Sequence, residues 1–176
     1  MLKFAAVLAF IAVPSVALAQ HPQPYTGMDK RPIKALSEQQ VADLKAGRGM
    51  GLALPAELNG YPGPMHVLEH ANALGLSAEQ QGQTKALFDA MKAEAVPVGE
   101  RLIEQEAQLD RLFVTRQVTP ATLTASTAEI GATQARLREA HLKYHLAMMD
   151  VLTPEQVEKY RSIRGYAGPD HQRRHN

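Results

Sequence analysis

The feature that most constrains the fold is an apolar stripe, with members three, four or seven residues apart, that runs through two long stretches of the chain. The first stretch begins at Ser77, and its stripe comprises Leu87, Met91, Val98, Leu102, Leu109 and Leu112. The second stretch follows Thr119, and its stripe comprises Ile130, Leu137, Tyr144, Met148 and Val151. This spacing marks one face of an α-helix and differs from the alternation of a β-strand. The two stretches are therefore predicted to form two long helices.

The scarcity of aromatic side chains also favours an all-α fold. The chain has four Phe, five Tyr and no Trp, so its core must be built from smaller apolar residues, which suits packed helices. Short helices are expected at residues 65–75 and 154–164. We predict an antiparallel long-helix hairpin with short flanking helices, a four-helix arrangement that turns near Gln117 and Val118. Pro97 and Gly99 should kink its first long helix, because proline lacks a backbone donor and clashes with the preceding turn.

The N-terminus has the pattern of a secretory signal. Lys3 precedes an apolar run over residues 4–13, and the small-x-small triplet Ala17-Leu18-Ala19 follows. We interpret residues 1–19 as a cleavable signal peptide and expect the mature protein in the periplasm, with an uncleaved inner-membrane anchor as the alternative. The chain has no cysteine, which excludes disulfides, thiolate metal ligands and a cysteine nucleophile.

Composition along the rest of the chain suggests its organisation. Residues 20–64 are rich in Pro, Gly and polar residues, and they are expected to form a poorly ordered segment with one short helix and a linker. The hairpin domain should span residues 65–164, and residues 165–176 should form a flexible basic tail. With 19 Lys and Arg against 18 Asp and Glu, nothing indicates a nucleic-acid partner.

Two pairs of histidines at helical spacing point to a transition-metal site. His66 and His70 form one pair, and His141 and His145 form the second, which Met149 continues. Residues four apart on a helix lie one turn above each other, so each pair can direct two imidazoles at one point. Imidazole and thioether are ligands for nickel, cobalt, copper and zinc. The alternative is that these side chains belong to solvated helix faces.

A five-residue pattern, Leu-(Ser/Thr)-x-x-Gln, occurs at Leu36, Leu76 and Leu152. Each copy places a Ser or Thr three residues before a Gln, which is the capping box that satisfies free amides at a helix start. Around a long helical hairpin, this pattern resembles the LTxxQ motif of the Spy/CpxP superfamily of periplasmic proteins. The resemblance covers residues 65–164 and implies a homodimer of helical hairpins.

The histidines resemble one branch of that superfamily, the periplasmic heavy-metal sensor and resistance proteins similar to CnrX. In such sensors a His-x-x-x-His pair, a carboxylate and a His-x-x-x-Met pair gather around one metal. The resemblance implies His66, His70, His145 and Met149 as ligands, and a signalling partner in the cell envelope. The intervals between the motifs depart from the family pattern by one residue, and the family's glutamate position falls near Phe88.

Helix geometry supplies a candidate for the missing carboxylate. In a hairpin that turns near Gln117, the numbers of paired residues add to about 235, which places Asp89 beside His145 and Glu94 beside His141. The predicted metal site therefore comprises His66, His70, Asp89, His141, His145 and Met149. Its metal ion would be nickel, cobalt, copper or zinc.

Two other functions stay open beside the metal sensor. Residues 66–70 match His-x-x-Glu-His, the inverted zincin motif, in which Glu69 would be the general base of a metallopeptidase. A Spy-like chaperone would instead hold unfolded protein clients without ATP in a cradle formed by two hairpins. We predict a non-enzymatic, metal-binding sensor or heavy-metal resistance protein, with the chaperone as the principal alternative.

Overall fold

Helices account for all the regular secondary structure between residues 24 and 166, the part of the chain that the computed structural model describes. After a 3-10 helix at Met28–Lys30, the α-helices are α1 (Glu38–Lys45), α2 (Leu54–Glu57), α3 (Pro64–Glu69), α4 (Ala71–Leu74), α5 (Ala78–Val114), α6 (Pro120–Met148) and α7 (Pro154–Ile163). The predicted all-α class is confirmed. None of these helices is long and apolar enough to cross a membrane. The expected signal peptide and most of the expected tail lie outside the described residues.

Helices α5 and α6 form the predicted antiparallel hairpin. Near the turn, Gln105 Nε2 donates to Glu129 Oε2 at 3.4 Å. Towards the open end, Tyr144 Oη of α6 donates to Glu94 Oε2 of α5 at 3.2 Å. The partner numbers fall on one helix as they rise on the other, which is the register of an antiparallel pair. Thr119 caps the start of α6 with its side chain, as the Thr-Pro sequence there suggests.

Helix α5 is not interrupted at Pro97, and its neighbour Gly99 has a packing role. A Cβ atom at Gly99 would lie 2.7 Å from the carbonyl oxygen of Leu44 in α1. Leu44 itself is buried and packs in one apolar cluster with Ala95 and Leu102. The missing side chain at residue 99 therefore lets the backbone of α1 lie directly on α5.

The segment before the hairpin differs most from expectation. The composition of residues 20–64 predicts poor order, yet its described part packs on the hairpin through the buried residues Leu44, Ala56 and Glu57. Pro62 and Pro64 are also fully buried. These buried residues do not recur at intervals of three or four, so they produce no helical period in the sequence. Their burial comes from contacts with helices that lie far away along the chain.

The three Leu-(Ser/Thr)-x-x-Gln motifs form capping boxes at the starts of α1, α5 and α7. Two of their glutamines also bind each other. Gln80 Nε2 donates to Gln156 Oε1 at 2.8 Å, and Gln156 Nε2 donates to Gln80 Oε1 at 3.1 Å. This amide pair ties the start of α5 to the start of α7, next to an apolar cluster that includes Met148 of the second stripe.

Candidate metal centre

A cavity of about 470 Å³ lies where the segment before the hairpin meets α5 and α6. Three of the seven histidines, His66, His141 and His145, line this cavity. Glu57 of α2 lines it as well. The cavity therefore brings together imidazoles from α3 and α6 with a carboxylate from a segment in which the sequence indicated no site.

His145 is held in a defined orientation. Its side chain is buried, and its Nδ1 lies 2.7 Å from the carbonyl oxygen of Tyr61. A carbonyl oxygen can only accept, so Nδ1 carries a hydrogen, and in the neutral form of the ring Nε2 is then the nitrogen with the lone pair. A Cβ atom at Gly63 would lie 2.9 Å from that Nε2, so the glycine permits the close approach of the ring. The loop between α2 and α3 thus fixes both the tautomer and the position of His145.

His141 lies one turn before His145 on α6 and is only 2% exposed. Its Nε2 is buried and has no hydrogen-bond partner among residues 24–166. Burial, and secondly the neighbouring His145, lower the pKa of His141. The imidazole is therefore neutral at pH 7, which is the form that binds a metal ion.

Glu57 joins the cavity to α7. Tyr160 Oη donates to Glu57 Oε1 at 2.5 Å, and Arg164 Nε lies 3.3 Å from the same oxygen. The other oxygen, Oε2, lies 3.8 Å from His145 Nδ1 and has no hydrogen-bond partner within the described residues. Burial, and secondly the hydrogen bond to Glu57, raise the pKa of Tyr160. Oε1 of Glu57 is thus hydrogen-bonded to Tyr160, and Oε2 lies on the side of His145.

The two histidines His66 and His70 do not share one helix, because α3 ends between them. His70 follows the last residue of α3, and it is not among the residues that line the cavity. His66 does line the cavity, and its Nδ1 lies 2.9 Å from Glu69 Oε2. Because a short hydrogen bond on Nδ1 engages that nitrogen, Nε2 is the nitrogen of His66 that is left for another partner.

Asp89 and Met149, the other two predicted ligands, also lie outside the cavity. The Asp89 side chain is 57% exposed and pairs with Lys85 on the same helix. Met149 is the residue at which α6 ends, and it is partly exposed. On α5 the cavity is instead lined by Phe88, Met91 and Lys92. Helix α5 therefore contributes no carboxylate to this cavity.

Within residues 24–166, no three His, Asp or Glu side chains are close enough together to hold a metal ion as they stand. The chemistry of the cavity nevertheless fits such an ion. The neutral imidazole of His141 has a buried nitrogen with no hydrogen-bond partner among the described residues, and such a nitrogen can bind a metal ion. The hydrogen bond on Nδ1 of His145 is of the kind that commonly orients a metal-binding ring. His66, His141, His145 and Glu57 are the side chains that could hold it.

Glu57 is the functional candidate that the sequence did not reveal. It lies in a four-residue helix with no apolar period, and its hydrogen-bond partner Tyr160 lies 103 residues away along the chain. Only Pro55, at the start of α2, marked a helix there at all. No pattern in the sequence indicated that this glutamate would be buried.

Fold and site together define an all-helical hairpin protein with an imidazole-lined cavity. The family model for heavy-metal resistance matches residues 49–159, more than half of the chain, and the chain belongs to this family. The family is part of the Spy/CpxP/CnrX-like helical group and consists of non-enzymatic resistance and sensor proteins, so the resemblance seen in the sequence is confirmed. Neither a curated protein nor a solved structure matches the chain. The matched range includes all four side chains of the candidate site.

Proposed function

We propose that this protein is a periplasmic, non-enzymatic sensor or heavy-metal resistance protein that binds nickel, cobalt, copper or zinc in its cavity. His66, His141 and His145 would supply imidazole ligands, and Glu57 would supply a carboxylate. The unpartnered Nε2 of His141 is the observation that carries this proposal. A buried polar atom without a partner is costly, and a bound metal ion would remove that cost.

The surroundings of His145 support the same role. Its Nδ1 hydrogen bond to the Tyr61 carbonyl leaves Nε2 as the nitrogen available to a metal. Glu57 supports it as well, because Oε2 has no hydrogen-bond partner in the part of the chain that the structure describes. A bound ion would join side chains from α2 and α3 to side chains from α6. Metal binding would thereby strengthen the attachment of the N-terminal segment to the hairpin, a change that a signalling partner in the cell envelope could detect.

Export from the cytoplasm is part of this proposal. Proteins of the heavy-metal resistance family are typically exported, and residues 1–19 have the pattern of a signal peptide. In the periplasm the cavity would meet metal ions before they enter the cytoplasm. That location suits a protein that senses them.

Titration calorimetry of the chain from residue 20 onwards, with each of the four divalent ions, tests the proposal. We expect His141→Ala and His145→Ala to weaken binding at least tenfold. His70→Ala and Asp89→Asn are the matched controls, because both residues lie outside the cavity, and they should leave the affinity within twofold. Absence of both heat and thermal stabilisation with all four ions, and with copper in its reduced state, would overturn the proposal. If only His70→Ala and Asp89→Asn lost metal binding, the site would instead be the one predicted from the sequence, with His70 and Asp89 as ligands.

A second candidate function is that of an ATP-independent chaperone. Large apolar side chains are exposed around the turn of the hairpin, where Phe113 is 54%, Val114 66% and Leu123 39% exposed. A homodimer of hairpins could present such side chains to unfolding proteins. Equimolar protein should then slow the aggregation of a client without nucleotide, as measured by light scattering. Triple substitution of these residues by Ser should remove the effect, and unchanged scattering with the unmodified protein would refute this function.

A further inference from the structure

Thioether side chains line the same cavity as the histidines. Met50, Met65 and Met91 lie on its walls, so three of the seven methionines of the chain are gathered there. The chain has no cysteine, which makes methionine its only source of sulfur ligands. Thioethers bind soft ions such as Cu(I), and they contribute little to the binding of harder divalent ions.

Met50 is held in an unusual backbone conformation. Its φ angle is +43°, in the left-handed region, and its neighbour Gly51 has a φ angle of +82°. Methionine has no short polar side chain that would favour this region, so the surrounding structure must enforce it. Such enforced conformations are found preferentially at functional sites. Here the enforced conformation occurs in a glycine-rich loop that lines the cavity.

The charges around the cavity disfavour a highly charged ion. Arg48, Lys92 and Arg164 line the cavity, and Glu57 is the one carboxylate among the described residues that do so. Carboxylates next to Arg48 and Arg164 offset part of this positive charge, but Arg164 in turn engages Glu57, the carboxylate that would attract a divalent ion. Because Coulomb repulsion is proportional to charge, a monovalent ion meets half the repulsion that a divalent ion would meet from the same cations.

The nitrogen and oxygen ligands alone do not make a complete site. No three His, Asp or Glu side chains between residues 24 and 166 lie close enough together to hold an ion. Met65 of α3, Met91 of α5 and Met50 of the loop after α1 also line this cavity. They could therefore complete a mixed set of imidazole and thioether ligands around a soft ion.

Building on the proposed function, we propose that the cavity selects a soft monovalent ion, Cu(I) or Ag(I), with thioether ligands from Met50, Met65 and Met91 beside the imidazoles. This narrows the four possible metals to copper in its reduced state. Binding involves no electron transfer by the protein. The cavity would prefer a soft monovalent ion for two reasons. Thioether sulfur binds soft ions, and the cations around the cavity repel a divalent ion more strongly than a monovalent one.

Ag(I) is a suitable probe because it is redox-stable in air, and Zn(II) is the divalent comparison. With the chain from residue 20 onwards in chloride-free buffer, we expect Ag(I) to bind at least a hundredfold more tightly than Zn(II). Met50→Leu and Met91→Leu should each weaken Ag(I) binding at least tenfold and leave Zn(II) binding within twofold. Met28→Leu, which lies outside the cavity, is the matched control and should change neither affinity.

The possible outcomes separate this proposal from the broader one. Unchanged Ag(I) affinity in the Met50→Leu and Met91→Leu variants would overturn the soft-ion proposal. The proposed function would still hold if Zn(II) binding depended on His141 and His145. Absence of binding by either ion would overturn both. Met50 is 41% exposed, so Met50→Leu should not prevent folding. This variant therefore tests the soft-ion proposal even if a substitution at the buried Met91 prevents folding.

Discussion

Nδ1 of His145 lies 2.7 Å from the carbonyl oxygen of Tyr61, two residues whose positions in the chain differ by 84. This hydrogen bond fixes the tautomer of a buried imidazole on α6 from a loop that belongs to the N-terminal segment. It leaves Nε2 with a lone pair beside the cavity. The segment before the hairpin is therefore part of the candidate site.

Gly63→Ala should disturb His145 directly. A Cβ atom at residue 63 would lie 2.8 Å from Cε1 of the His145 ring, so the ring or the loop must shift. We expect a loss of about 1–3 kcal/mol in the free energy of unfolding, which is usual for an added methyl group in a packed site, together with weaker metal binding. Urea denaturation and calorimetry would measure both effects.

Gly82→Ala is the matched control for that substitution. Gly82 lies in α5, and a Cβ atom there would have no neighbour within 4 Å, so the added methyl group meets open space. Alanine is the better helix former by about 0.5–1 kcal/mol, and the variant should be slightly more stable. Equal effects of the two substitutions would show that the ring of His145 tolerates a side chain at residue 63.

Glu57→Gln should destabilise the protein and weaken metal binding. The substitution keeps the shape of the side chain but removes the negative charge beside Tyr160 Oη and Arg164 Nε. Weakening a buried hydrogen bond to a charged group typically costs about 1–3 kcal/mol. Glu104→Gln is the exposed control and should stay within about 0.5 kcal/mol in urea denaturation. An unchanged midpoint for Glu57→Gln would contradict a structural role for this carboxylate.

The metal-free protein should lose stability as the pH falls through 6.5, the ordinary pKa of histidine. Burial, and secondly His145, lower the pKa of His141 in the folded state. Below pH 6.5 the unfolded chain therefore takes up a proton at this residue that the folded chain resists, and protonation favours unfolding. Denaturation midpoints between pH 5 and 8, with a chelator present, would measure this effect. In His141→Gln, the denaturation midpoint should depend less on pH. If it depended on pH as steeply as in the unmodified protein, groups other than His141 would be responsible.

The metallopeptidase alternative is tested at Glu69. This side chain accepts a hydrogen bond from His66 Nδ1, which lowers the pKa of Glu69, and it is 53% exposed. We expect no cleavage of an unstructured peptide with any bound metal. Glu69→Gln should weaken metal binding by less than about tenfold, because the amide oxygen of Gln can still accept the hydrogen bond from His66 Nδ1. Metal-dependent cleavage that disappears in Glu69→Gln would establish an enzyme.

The hairpin and its register follow from the amino-acid sequence alone. The apolar stripes of α5 and α6, the capping boxes and the turn are local features, because each depends on residues within a few positions of one another. The apolar stripe and the hairpin register also predict that His141 and His145 lie on the buried face of α6, and both side chains are buried in the structure. Glu94, which the register predicts beside His141, accepts a hydrogen bond from Tyr144 at 3.2 Å and does not line the cavity.

The surroundings of those two histidines depend on contacts between helices that are far apart in the sequence. Asp89 lies on α5 next to Phe88, but one residue corresponds to about 100° around a helix, and this turns Asp89 towards solvent and Phe88 towards the cavity. Glu57 reaches the cavity because α7 folds back and supplies Tyr160. Contacts between residues so far apart leave no period in the sequence, which is why the carboxylate of the candidate site could not be found there.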